Sequence, residues 1–485
     1  RAAANAPAGP EGRLADLAVA FEWRPLLNGR VSLGSVGLRG LQLEVSHAAD
    51  GRLVISGLPL PEATGYVDEQ GQTTGWLIGI DKMQISDSTL VYIRNSQRIT
   101  LKIDLLVVEQ LHAWDADKPG RLDFVGSFNG ADISVSGEFA PFAQRQNGRL
   151  KLRAAGIDIA RIATIFADPD LYELRGALDF ELDATAAITP GASVVASFEG
   201  NAQVRQMVMG LDDVKLRADR FGWRGAIKSS PVDAETTGVF IADNVLLTMP
   251  DTEFALAEAT ANLQPVAVRF GGVSFIGVRW NTRLEAEKLR FRSPEASLSE
   301  DKLTVALAGT SDGPRVALSG GELDATGVKL KSGTNDVSLK ALKIVTDALK
   351  ADLLAKGGPE ADWDGKVDLT DARLDGERID GQGSASWDGK VGLKSSGQVA
   401  LDGTASVAAI RFTNGDAKLA LAKGKATLKP LTIGGRDEGK FDWKGRVDLS
   451  EMTASTPLAA TVTGQAAFDG RAELDFTPAL RGRVT

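Results

Sequence analysis

Residues able to do covalent or metal chemistry are sparse in this 485-residue sequence. It has no cysteine and only two histidines, His47 and His112. Neither histidine lies in a cluster with metal-ligand spacing, and each reads as a surface or strand residue. There is no phosphate-binding GxxxxGK[ST] loop, no GxGxxG following a strand, no GxSxG elbow and no HExxH pair. The acidic pairs Asp212-Asp213 and Asp16 with Glu22 read as turns or solvated faces. The run from Asp375 to Gly381 resembles calcium-binding turns but lacks their strict nonapeptide repeat. The expectation is a protein that is not an enzyme and that carries no cofactor and no metal. What remains is a chemistry of contact, with Val, Leu, Ile, Ala and Phe recurring at alternate positions without regular polar groups among them.

Contact surfaces of that kind need strands to hold them in line. Across residues 99–107, Ile99, Leu101, Ile103, Leu105 and Val107 take every second position, with Thr100, Lys102 and Asp104 between them. That period of two marks a strand with one apolar and one polar face. It returns at Leu122, Phe124 and Phe128, at Ile133, Val135 and Phe139, and at Leu150 and Leu152. At 157–166 the period changes. Ile159, Ile162, Ile165 and Phe166 lie three to four apart, which predicts one short amphipathic helix near 157–168. Alternation resumes at Leu178, Phe180 and Leu182, with Asp179, Glu181 and Asp183 opposite, and runs on past residue 300.

The two ends of the chain read less regularly. Residues 14–45 alternate in short bursts, and parity shifts at 34–40 predict bulges or bends. Asn28-Gly29 and Asp50-Gly51 are tight-turn dipeptides, and 58–74 reads as loop. From about residue 316 the composition shifts to Gly, Asp and Lys. Asp-Gly or Asn-Gly pairs beginning at 312, 364, 375, 380, 388, 402, 414 and 469 predict closely spaced turns. A phrase starting at Trp363 (WDGKVDL) recurs at Trp387 (WDGKVGL) and Trp443 (WKGRVDL), with spacing too irregular for a propeller. Residues 337–354 fit either a helix or two strands. In sum about 25–30 strands are expected, joined by tight turns.

Composition narrows the classes. At 43% hydrophobic residues the chain is not disordered. A net charge of -9, from 55 basic and 64 acidic residues, argues against nucleic acid as partner and against a membrane-binding whole surface, while leaving room for local basic patches. No apolar run approaches the roughly 18–20 residues of a membrane helix. The chain begins without Met and ends in mid-pattern, so it is expected to be a segment of a longer protein. Its expected organisation is a linker start at 1–12, a first unit at 13–190 containing the helix, a continuation at 191–310, and Gly/Asp-rich hairpins of the same sheet at 311–485.

The run IDKMQISDSTLVYIRNSQRITLKIDLLVVEQL, followed by LDFVGSFNGADISVSGEFAPF and GRLKLRAAGIDIARIATIF, resembles the repeated unit of the AsmA-like envelope proteins of Gram-negative bacteria, a bridge-like lipid transfer superfamily. The resemblance covers roughly residues 30–190. It implies an all-β fold, an elongated, twisted antiparallel sheet curved into a groove, with one or few short helices. It implies phospholipid or another acyl lipid as partner, held between inner and outer membranes in the periplasm. It also implies an inner-membrane anchor or envelope partners outside this sequence. The implied groove residues are Ile99, Leu101, Ile103, Leu105, Val107, Leu122, Phe124, Phe128, Ile133, Val135 and Phe139, extended by Leu178, Phe180 and Leu182. The physics agrees: acyl chains require apolar contact without fixed hydrogen bonds, and burial favours them by about 25 cal/mol per Å². About 30 strands at ~4.8 Å spacing would reach about 140 Å. Two other readings remain: a scaffold in an envelope-spanning assembly, its groove filled by side chains or a partner, and a surface β-helix passenger.

Overall fold

The structure is a computed structural model that describes residues 12–47, 53–56, 58–59, 77–94, 97–161, 173–188, 194–271, 274–356, 358–377, 379–415, 417–433, 440–456, 459–475 and 481–484. The fold is all-β. Among the described residues there are 26 strands, assigned to one sheet that does not close into a barrel. Contacts divide the chain into two units, residues 1–212 with 217–231 and residues 213–216 with 232–485.

The first unit contains β1 (Asp16–Glu22), β2 (Arg30–Arg39), β3 (Gln42–His47), β4 (Leu53–Ile55), β5 (Leu58–Pro59), β6 (Leu77–Arg94), β7 (Gln97–His112) and β8 (Gly120–Phe128). It continues with β9 (Ala131–Ala140), β10 (Gln146–Asp158), β11 (Glu173–Ile188), β12 (Val194–Leu211) and most of β13 (Val214–Ser229). From β6 to β12 each strand pairs antiparallel with the next. Asn129-Gly130 makes the tight β8–β9 turn, both residues at positive φ (52° and 88°), as a type I′ turn requires.

The N-terminal strands depart from that order. β2 and β3 both run parallel to β6, one along each half of it, and β1 pairs antiparallel with β2. The parity shift at 34–40 is partly the joint between β2 and β3. There the buried Ser88 hydroxyl accepts the Leu41 N–H (3.0 Å) and donates to the Ser86 carbonyl (2.7 Å).

The second unit contains β14 (Asp233–Met249), β15 (Thr252–Gly271), β16 (Ser274–Arg292), β17 (Ala296–Asp312), β18 (Arg315–Ser332), β19 (Asn335–Asp352) and β20 (Glu360–Asp375). It ends with β21 (Ile379–Leu393), β22 (Val399–Asn414), β23 (Ala417–Ile433), β24 (Lys440–Thr456), β25 (Ala459–Asp475) and β26 (Arg481–Val484). Every strand again pairs antiparallel with its successor. Twelve such steps at ~4.8 Å advance the ladder by about 60 Å.

The registers sort the side chains by face. One row crosses ten strands of the second unit as Ala261, Leu284, Val305, Leu323, Ile344, Val367, Trp387, Ala405, Ala426 and Val447. The next row, on the opposite face, reads Glu285, Thr304, Asp324, Lys343, Asp368, Ser386, Ser406, Lys425 and Asp448. Each even-numbered strand from β14 to β24 also carries one residue with φ between 48° and 66°: Asn244, Lys288, Gly327, Asp371, Ala409 and Glu451. At each of these the alternation slips by one residue, as from Leu284 and Ala286 to Leu289 and Phe291. Such irregularities bend strands, so the unit is creased along this line.

Several expectations are corrected. Asp364-Gly365, Asp380-Gly381, Asp388-Gly389, Asp402-Gly403 and Asp469-Gly470 are not turns, because all lie within strands. Three of these glycines are required by crowding. A Cβ at Gly365 would sit 2.1 Å from the Val345 carbonyl oxygen and 2.7 Å from the Trp363 ring, and Gly389 and Gly403 crowd the facing backbone at 2.3 and 2.4 Å. The first two Trp phrases are partners: Trp363 faces Val391, Gly365 faces Gly389 and Val367 faces Trp387. The phrase therefore pairs with itself, its Lys and Asp forming exposed pairs Lys366–Asp388 (3.4 Å) and Lys390–Asp364 (3.8 Å). Residues 335–352 form the single strand β19. The helix-like spacing from Leu339 to Leu342 and from Thr346 to Leu349 marks slips in its alternation. Consecutive antiparallel hairpins also rule out the parallel coils of a β-helix passenger. The expected helix is described only at 159–161, where the Asp158 carboxylate caps the Ala160 N–H (3.1 Å). The rest of 157–168 is strand up to Asp158 or lies outside the described residues, as do Asp50-Gly51 and most of the 58–74 loop. Position 310 lies inside β17, with no change of pairing there.

Candidate functional site

Twelve of the fourteen groove candidates share the apolar face of the first unit. Leu101 lies between Leu90 and Phe128, and Ile103 between Ser88 and Gly126. Ile99 faces Tyr92. Phe124 neighbours Leu106 and Val135, and Leu122 neighbours Val108 and Gly137. Phe139 stands between Gly120 and Gly148. Val135 leads through Leu152 to Leu182, Ile133 through Ala154 to Phe180, and Leu178 joins Ile157 to Val204.

Leu105 and Val107 are on the other face. Against β8, Ile103 faces Gly126 while Leu105 faces Val125, which leaves Asp104 as an extra residue and reverses the alternation beyond it. Leu105 is consequently 38% exposed beside Val125 at 51%. Their places on the apolar face go to Leu106 and Val108, which sequence reasoning missed. The run from Leu105 to Val108 is apolar at all four positions, so hydropathy fits either phase.

Among the described residues, little covers this face. Its densest part is Ala131, Ala154 and Ile157, with Phe128, Ile133, Leu178 and Phe180 packed against them. Of the fifteen buried apolar residues described in the whole chain, nine are alanines, so large side chains remain half-exposed rather than sealed between layers. Glycine smooths the surface where rings lie down: a Cβ at Gly126 would be 2.9 Å from the Phe124 ring and 2.0 Å from the Lys102 carbonyl oxygen.

The opposite face is charged and cross-linked. Arg153 binds Glu181 (2.6 Å), and Arg121 binds Asp123 (2.7 Å). Asp179 accepts hydrogen bonds from Arg205 (2.6 Å), from the Gly156 N–H (2.7 Å) and from Gln203 (3.2 Å). The Arg205 hydrogen bond holds its carboxyl below the usual range, against the opposing effect of burial, and the Gly156 and Gln203 bonds add to it. Gly156 has φ of 74°, so this carboxylate anchors the backbone where β10 slips phase. Ion pairs this exposed contribute little stability singly, but they mark the face that stays in water.

In the second unit one charged group stands among the apolar rows. Glu300, 7% exposed, faces Leu289 and follows Leu298 on β17. Its Oε1 has no hydrogen-bond partner, and desolvation, then the neighbouring Asp301, raises its pKa. Two adjoining recesses in this unit are lined by residues of both faces, Asp368, Leu369, Ser386 and Val407 in one and Val407, Lys425, Asp448 and Leu449 in the other. His112 binds Asp81 (2.7 Å) and stacks on Trp114 (4.9 Å between centroids). Among the described residues no group of three or more His, Cys, Asp or Glu could hold a metal ion. No described helix is long and apolar enough to cross a membrane. The arrangement offers a broad apolar surface for non-polar contact. Comparison with family models, curated proteins and solved structures finds no match to this chain.

Proposed function

We propose that the apolar face of the first unit holds the acyl chains of phospholipids, and that the chain is a periplasmic lipid-transfer segment of the AsmA-like kind, carrying lipid between inner and outer membranes. One observation carries the reading: from β6 to β12 the registers align apolar side chains strand after strand, half-exposed and backed by a charged face. An acyl chain laid on such a surface gains about 25 cal/mol for each Å² removed from water. It meets few fixed hydrogen-bonding groups, so it is free to slide.

The test is mass spectrometry of organic extracts from purified protein. Native protein is expected to carry phospholipid, and the Leu101→Asp, Phe180→Asp double variant to lose it. Leu105→Asp, on the opposite face, is expected to retain it. A folded native protein without lipid would overturn the reading and leave the scaffold. Equal loss in Leu105→Asp would place lipid elsewhere than on this face.

A further inference from the structure

We propose that the corner formed by β1, the following 3-10 turn and the start of β6 docks onto an anionic lipid bilayer. The apolar face ends at β1, where all seven residues are exposed. Beyond it the turn Arg24–Asn28 presents Trp23 at 64% and Leu27 at 80% exposure, beside Phe21 at 50% and Ile78 at 55%. Leu27, on the turn itself, and Leu354 are the most exposed large apolar residues described.

The tip is built to hold its shape. Gly29 closes the turn at φ 69°, its N–H donating to the Leu26 carbonyl (3.1 Å), and its own carbonyl accepts the Leu77 N–H (3.3 Å). Basic groups flank the apolar tip. The Arg24 guanidinium lies 5.9 Å from the Trp23 ring centroid, and that of Arg30 lies 5.4 Å from the Trp114 ring. Between residues 21 and 30 there are two arginines, Arg24 and Arg30, and one acid, Glu22, in a chain of net charge -9; Arg13 and Arg39 lie at the far end of β1 and β2, where Arg39 pairs with Asp87 (3.1 Å). Protruding Leu and Trp with arginine beside them suit the headgroup region, where a ring spans the polar boundary and cations meet anionic lipid. A second copy would bring the same arginines face to face, which like charges disfavour.

This proposal does not depend on the lipid-holding reading, and the experiment separates them. Wild-type protein is floated with vesicles of phosphatidylcholine and phosphatidylglycerol in equal parts, and with phosphatidylcholine alone. Binding to the anionic vesicles is expected, with release at high salt and at least about tenfold weaker binding for the Trp23→Ser, Leu27→Glu double variant. Both side chains face solvent, so the variant is expected to fold, and circular dichroism checks this. Brominated lipid is expected to quench tryptophan fluorescence in the wild type and less in Trp23→Phe. The Leu101→Asp, Phe180→Asp variant is expected to float normally while carrying no lipid. Wild type that stays unbound, or a double variant that floats equally well, overturns the proposal. An oligomer that Leu27→Glu dissociates, seen by light scattering, would instead make the corner a self-interface.

Discussion

The two units build an apolar face from different proportions of large side chains and bare backbone. In the first, Ile103, Phe124, Ile133, Leu152, Phe180 and Leu182 supply it with large side chains standing off the backbone. In the second, part of the face is stripped to backbone: Gly365, Gly389 and Gly403 stand side by side on β20, β21 and β22. Tryptophan rings lie across such glycines, Trp363 at Gly365, Trp387 at Gly403 and Trp280 at Gly309. The Trp363 indole N–H donates to the Thr346 hydroxyl (2.9 Å), which fixes the ring. The first unit uses the bare-backbone device too, at Gly126 beneath the Phe124 ring, but sets it among large side chains. Truncation tests those side chains, and enlargement tests the row of glycines in the second.

The largest expected effect tests the stripped region. Gly365→Val should destabilise the protein by about 3 kcal/mol in chemical denaturation, since the first added carbon already collides with the Val345 carbonyl and the Trp363 ring. Gly320→Val, with nothing within 4 Å of its Cβ, should cost less than about 0.5 kcal/mol. Equal costs would break the comparison. In the filled region, Phe180→Ala should cost about 2 kcal/mol, below the 3–5 kcal/mol of a fully buried ring because Phe180 is half-exposed.

A third test concerns the charge inside an apolar row. Glu300→Gln should stabilise the protein by about 1 kcal/mol at neutral pH. The folded state raises this carboxyl's pKa, so wild-type stability falls as pH rises from the unfolded carboxyl's ~4.3 through the folded value, and the gain should vanish toward acid pH. Asp179→Asn carries the opposite sign and a smaller size. Its carboxyl is depressed, so the stability it contributes is present above the unfolded pKa of ~3.9 and lost as pH falls through the folded value. The substitution should cost about 0.5–1 kcal/mol at neutral pH and nothing at strong acid.

Period-two alternation was enough to read the all-β fold, the polar and apolar faces of β8 to β11, and the common face of twelve candidate residues. It failed where the chain adds one residue. Asp104 reverses the phase within an unbroken apolar run, so Leu105 and Val107 cannot be told from Leu106 and Val108 by hydropathy. The same slip made β19 resemble a helix. Asp-Gly misled for a different reason, because at Gly365, Gly389 and Gly403 glycine answers to a tryptophan ring or a facing carbonyl rather than to a turn. The parallel placement of β2 and β3 along β6 joins segments distant in sequence, and no local pattern records such a partnership.

The phase slips on alternate strands recur about every 40 residues, one per hairpin. Each hairpin thus brings its own bend and its own share of both faces, and returns the chain to the edge from which it began. A gene that duplicated or lost one such segment would keep every other register intact. The reach of the apolar surface is then open to inheritance in increments of two strands, about 10 Å each, and lineages are free to differ in length without redesigning the sheet.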